Sequence, residues 1–165
     1  MREVISNTSP LQYLHQLDLL DLLPTLYSEV LVPYAVVREI EAGRSLGVAL
    51  PVLETLPWLR VQEVANAALL PVLSDLGAGE REVLALALEQ SNPLVILDDS
   101  FARRFARRLE LPLTGTLGLL LRGKEMGRID LVKPLLDRLE ALHFRLDQRT
   151  RADVLTVAGE RTAIG

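Results

Sequence analysis

The chain has 165 residues, enough for one domain with a full core. Apolar residues make up 49% of it and aromatics only 4%, so Leu, Val and Ala must fill that core, and disorder is excluded for most of the length. A net charge of −4 gives no overall attraction to nucleic acid, and the lack of cysteine excludes disulfides and thiolate metal sites. Two histidines are poor support for zinc. The N-terminal residues lack the apolar run of a leader, and no uncharged stretch reaches the ~18 residues of a membrane span. A cytoplasmic protein with no membrane contact is the expectation, and the missing cysteines fit a reducing compartment.

Residues 3–7 read as a first strand. Thr8-Ser9-Pro10 then opens a helix with a hydroxyl cap and an early proline. Leu11, Leu14 and Leu17 continue it at helical spacing. Asp18 restarts a short helix that stops before Pro24. Val30-Leu31-Val32 is a second strand, and a helix over 34–42 ends at Gly43. Residues 44–57 carry no clear pattern. Residues 59–64 alternate as an edge strand does. A short helix over 70–76 is broken by Gly77-Ala78-Gly79, and a strong helix runs over 80–90.

Leu94-Val95-Ile96-Leu97 is a continuous apolar run leading into Asp98-Asp99, the pattern of a strand buried on both faces. Ser100 caps a helix through Leu109. A short strand over 111–114 and a helix over 117–126 follow. A helix over 130–143, a short strand over 144–146 and a last helix over 147–158 capped by Asp147 complete the series. Residues 1–158 read as one domain and 159–165 as a frayed tail. Strands alternate with helices almost throughout, which predicts an α/β fold with a mostly parallel sheet.

Acids fall at element ends. Glu39 lies in the helix after the second strand, Glu80 opens a helix, and Asp98 and Asp99 end the central strand, with Asn7 at the end of the first. Ligands of open α/β sheets sit outside the carboxyl ends of strands. Several carboxylates meeting there could not all ionise without a cation, and oxygen ligands suit Mg²⁺ or Mn²⁺. Each acid also has a plainer explanation: Glu80 suits a helix start, Asp98 or Asp99 suits a cap, and Glu39 suits a solvated face.

The segments Val4-Ile5-Ser6-Asn7-Thr8-Ser9-Pro10-Leu11, Val30-Leu31-Val32-Pro33 with Val36-Val37-Arg38-Glu39-Ile40, Gly77-Ala78-Gly79-Glu80, Leu97-Asp98-Asp99 with Ala102-Arg103, and Thr114-Gly115-Thr116-Leu117-Gly118 together resemble the PIN-domain superfamily of ribonucleases. The resemblance is to the DUF3368 branch, and it covers nearly the whole chain. It implies a three-layer α/β/α sandwich. It also implies a catalytic and metal set of Glu39, Glu80 and Asp98 or Asp99, with Asn7 where active members usually carry Asp. Asn removes one charge but keeps a carbonyl oxygen for a hard cation; it also suits a strand-to-helix cap. Thr8, Ser9, Thr114 and Thr116 fall on the substrate side. The activity implied is endoribonuclease cleavage by a metal-activated water, and the partners implied are RNA and a small antitoxin protein.

Arg103, Arg104, Arg107 and Arg108 form a basic stripe that suits an RNA backbone or, equally, a solvated face. Phe101, Ala102, Phe105, Ala106 and Leu109 take the other side of this helix, and with no aromatic platform beside the stripe, base-specific readout is not expected. The Leu-rich stretch 11–26 offers a dimer or partner surface beyond its core residues. The alternative to a nuclease is a PIN-like module that binds RNA or protein without turnover. A small-phosphate enzyme using the same acids is a weaker third reading.

Overall fold

A computed structural model describes residues 1–161, and the last four residues of the expected frayed tail lie outside it. Its centre is β1 (Glu3–Ser6), in which Val4, Ile5 and Ser6 are all buried. Successive strand residues point to opposite faces, so three buried in a row mean both faces are covered. The same holds for β2 (Val30–Val32) and for Val95 and Ile96 of β4 (Pro93–Ile96). With β3 (Leu59–Val61) and β5 (Leu113–Thr114) at the edges, the order is β3-β2-β1-β4-β5. Every pair is parallel, and helices flank the sheet. The α/β expectation is met.

The strand order reverses between β1 and β4: the chain moves out to β2 and β3, then returns to β4 and β5. Such a reversal opens a crevice at the carboxyl ends of the two strands. Ser6 is level with Ile96, and the Asn7 N–H donates to the Ile96 carbonyl at 3.1 Å. Asn7 and Asp98 therefore leave adjacent strands at that crevice.

Local structure departs from the sequence reading in several places. α1 (Thr8–Gln16) has Asn7, not a hydroxyl residue, at its cap position. α2 (Leu22–Tyr27) starts after Asp18, whose φ is 59°, and takes in Pro24. A first-turn proline removes no helical hydrogen bond. α3 (Tyr34–Ser45) runs through Gly43, where a Cβ would meet Leu50 Cδ1 at 2.5 Å, so this glycine serves close packing and not termination. Residues 53–55 and 67–73 form 3₁₀ helices; the second contains Pro71 and replaces the helix expected over 70–76. α4 (Ala78–Leu88) begins two residues early and includes Gly79. α5 spans Ser100–Arg108. Leu11, Leu14, Leu17, Leu22 and Leu23 are all buried, so the Leu-rich stretch is spent mostly on the chain's own core.

Met1–Thr116 form one compact unit, and a second begins at Leu117. α6 (Thr116–Glu125) opens on the last residue of the first unit. α7 (Lys133–Ala141) and α8 (Gln148–Val157) complete the helices, and residues 144–146 form no strand. Asp147 caps α8 as expected, accepting from the Thr150 N–H at 2.7 Å. Arg151 ties α8 to α7 through Asp137 and Glu140, each at 2.6 Å.

Glu160 falls in the expected tail but is not free. Its side chain is 7% exposed and accepts from Lys124 Nζ at 2.8 Å, the Val132 N–H at 2.7 Å and the Lys133 N–H at 2.9 Å. A carboxylate there satisfies the start of α7, which has no side-chain cap of its own. Burial raises the Glu160 carboxyl, but Lys124 and the two N–H donors outweigh it and hold the carboxyl below its ordinary value. A depressed folded value stabilises above the ordinary carboxyl range and is lost as pH falls through the folded value. Glu160→Ala should therefore cost about 2 kcal/mol in urea unfolding at pH 7. The gap to the parent should close as the pH is lowered into the acid range.

Candidate active site

Asn7 is 6% exposed, and its Oδ1 is buried with no hydrogen-bond partner among the described residues. It makes no side-chain cap to α1. An unsatisfied buried carbonyl costs ~1–3 kcal/mol, so its retention needs a reason. Gly79 supplies the floor beside it. A Cβ at Gly79 would collide with both carboxylate oxygens of Glu39 and lie 2.9 Å from Asn7 Oδ1. Glu39 and Asn7 thus meet over one glycine, although they come from α3 and the end of β1. Thr8 Oγ1 donates to Glu39 Oε1 at 3.1 Å and orients it.

Asp98 and Asp99 separate into different roles. The Asp99 side chain accepts from the Ala102 N–H at 2.9 Å and caps α5. Ser100, expected as the cap, is the first helical residue. Asp98 receives three donors: Ser9 Oγ at 2.9 Å, the Thr116 N–H at 2.7 Å and Thr116 Oγ1 at 2.7 Å. Gly115 lets it sit there, since a Cβ at Gly115 would lie 2.9 Å from Asp98 Oδ1 and 2.8 Å from the Leu97 carbonyl. Thr8, Ser9 and Thr116, read from sequence as substrate groups, thus hold carboxylates in this structure. Thr114 ends β5, and its carbonyl accepts from the Leu97 N–H at 2.9 Å.

Glu80 is half-buried in the first turn of α4, and its Oε2 accepts from the Gly77 N–H at 3.2 Å. Burial pushes its carboxyl above the ordinary value; the Gly77 N–H opposes this, and the charges of Asp99 and Glu39 add to the rise. Among the described residues no Lys or Arg forms an ion pair with Glu39, Glu80, Asp98 or Asp99. Nor do any three His, Asp or Glu side chains among them converge closely enough to hold a metal ion on their own. The acids are neighbours in one field and not a single tight cluster.

The basic stripe also divides. Arg103 is part-buried and donates from Nη1 to the Leu97 carbonyl at 2.7 Å. Burial and Arg107 lower its guanidinium, against the pull of Asp98. Arg104 stacks over the Phe101 ring at 5.6 Å and Arg108 over Phe105 at 5.9 Å. Phe101 is 40% exposed, and both rings carry an arginine over them, so the expectation that they lie on the side away from the arginines is corrected. Tyr13, which the sequence reading did not single out, lies within the field of Asp98: burial and the charge of Asp98 raise its phenol. The available signal was its place one helical turn after Ser9 on α1.

Residues 3–160 match the family DUF3368, described as a PIN domain. The chain belongs to the PIN-domain family. The match runs through both compact units, and no curated protein matches the chain. PIN domains as a group point to nuclease activity, divalent metal use and RNA binding. Asn7, Glu39 and Asp98 suit a divalent cation chemically: each presents a side-chain oxygen, and Asn7 Oδ1 has no hydrogen-bond partner among the described residues. Mg²⁺ commonly takes one or two carboxylates and fills its shell with water, so a larger acid cluster is not required. No helix among the described residues is long and apolar enough to cross a membrane.

Two outcomes follow for this PIN domain. Gly79→Ala should displace Glu39 and weaken divalent-cation binding at least tenfold in calorimetry, because the added methyl occupies the place of the Glu39 oxygens. A raised carboxyl destabilises the fold as pH rises through its folded value. Glu80→Gln should therefore stabilise the protein by about 0.5 kcal/mol at pH 7, the scale of a partly solvated charge contact. The amide still accepts from Gly77, so the gain should vanish in acid, as denaturant melts at the two pH values would show.

Proposed function

We propose that the chain is a Mg²⁺- or Mn²⁺-dependent endoribonuclease of PIN type, with Asn7, Glu39 and Asp98 as oxygen donors and Glu80 and Asp99 as outer charges. The observation that carries this reading is the unpartnered Asn7 Oδ1 beside the Glu39 carboxylate at the β1–β4 crevice. A hard cation held there supplies Lewis-acid chemistry, offsetting phosphodiester charge and making water a stronger nucleophile. The chain's own residues do the positioning. Thr8 fixes Glu39, Ser9 and Thr116 fix Asp98, and Arg103 stands at the rim where a phosphate would approach. The products would be a 5′-phosphate and a 3′-hydroxyl. In the cell the reading is that of a cytoplasmic toxin restrained by a small antitoxin protein, which rests on the family resemblance.

A second reading has its own support. Asp98 already accepts three hydrogen bonds, and Asn7 contributes no charge. Both weaken a metal site, as expected of a PIN-like module that binds RNA or protein without turnover. Incubation of single-stranded RNA with Mn²⁺ or with EDTA separates the two. The nuclease reading expects cleavage that EDTA abolishes and that Glu39→Gln and Asp98→Asn each reduce at least a hundredfold. RNA binding with no cleavage selects the module. Asn7→Asp should tighten Mn²⁺ roughly tenfold through the added ligand charge. An unchanged affinity would remove Asn7 from the donor set.

A further inference from the structure

α5 leaves the rim of the crevice directly after Asp98 and Asp99. Phe101, Arg104, Phe105 and Arg108 follow the i, i+3, i+4, i+7 pattern, which places them within about a 100° sector of the helix. Their planar groups form a continuous ladder. The two rings meet edge to face at 5.2 Å, with Arg104 over Phe101 and Arg108 over Phe105. Phe101 is 40% exposed, and Arg104 and Arg108 are exposed as well. Among the described residues no carboxylate pairs with Arg104, Arg107 or Arg108, although the chain as a whole carries net negative charge.

A solvated helix face needs no aromatic rings, and a backbone-binding patch needs only cations. Rings and guanidinium planes alternating in one row match the two parts of an unpaired nucleotide, a flat base and a negative phosphate. We propose that this ladder is a base-stacking exosite, in which one or two unpaired bases of a nucleic-acid strand leaving the crevice stack on Phe101 and on the Arg104 plane. Arg107 and Arg108 take the adjacent phosphates. The nine residues of α5 span about 13 Å, room for two to three nucleotides beyond the crevice. The inference rests on the nuclease reading for its choice of RNA, but not on turnover.

The test is a binding measurement in EDTA, so that cleavage plays no part. Fluorescence anisotropy of a labelled twelve-nucleotide single-stranded RNA is compared with the same backbone carrying abasic positions. The full-length protein should bind the intact strand at least fivefold more tightly than the abasic one. Phe101→Leu keeps an apolar side chain at an exposed position, and Arg104→Lys keeps the charge. Each should lower affinity for the intact strand to near the abasic level and leave both the abasic affinity and the salt slope unchanged. Equal affinity for the intact and abasic strands would overturn the exosite and leave a simple cationic patch. So would full affinity in Phe101→Leu. Loss of binding to an acidic polypeptide in Phe101→Leu, with RNA binding unaffected, would overturn it in favour of a protein-docking face. Failure of the nuclease reading registers separately: no cleavage of the same strand in Mn²⁺ while the anisotropy differences persist.

Discussion

The parallel pairing of β1 with β4 is the constraint on which the site depends. Four residue pairs are in register from Glu3–Pro93 to Ser6–Ile96, and the ladder continues through the Asn7 N–H. Because the strand order reverses here, no neighbouring crossover fills the space beyond the two carboxyl ends. Helices start at once on both sides, with Asn7 and Asp99 as their cap positions, so the backbone ladder sets where these side chains lie. A slip of one residue would shift Asn7 against Asp98 by roughly 3.3 Å, more than a hydrogen bond's length.

Neutral groups, not cations, hold the acids in place. Hydroxyls and N–H donors from Thr8, Ser9 and Thr116 fix orientation while leaving the negative charge uncancelled. The upward shift of Glu80 records its burial first and that excess charge second. Arg103, whose guanidinium feels the charge of Asp98, spends a donor on the Leu97 carbonyl. A site built this way has oriented oxygens and residual charge, which are the conditions a hard cation exploits.

Much of this was legible in the sequence, for identifiable reasons. Val30-Leu31-Val32 and the run into Asp98 read correctly because strands buried on both faces need only an apolar stretch. The acids at strand ends and helix starts pointed to the crevice, and their order supported the family. What failed depended on contacts distant in the chain or on a shift of one residue. Asp98 and Asp99 could not be told apart until the start of α5 was known. Gly79 looked like a breaker because its purpose, to admit Glu39 and Asn7, comes from other elements. Phe101 looked set apart from the arginines because side-by-side spacing does not show that Arg104, one turn on, folds over its ring. Glu160 looked loose because its partners lie 27 to 36 residues away.

The edges of the sheet carry one more consequence. β3 has three residues and β5 only two, and the middle of β3 is Arg60, which reaches toward Glu29 at 3.6 Å. A short, charged margin offers a poor template for another chain's backbone. Even at high concentration, copies of the chain have little chance to zip together strand on strand. Association between copies, where it occurs, is left to side-chain surfaces, whose shape and chemistry can discriminate between partners as an open backbone edge cannot.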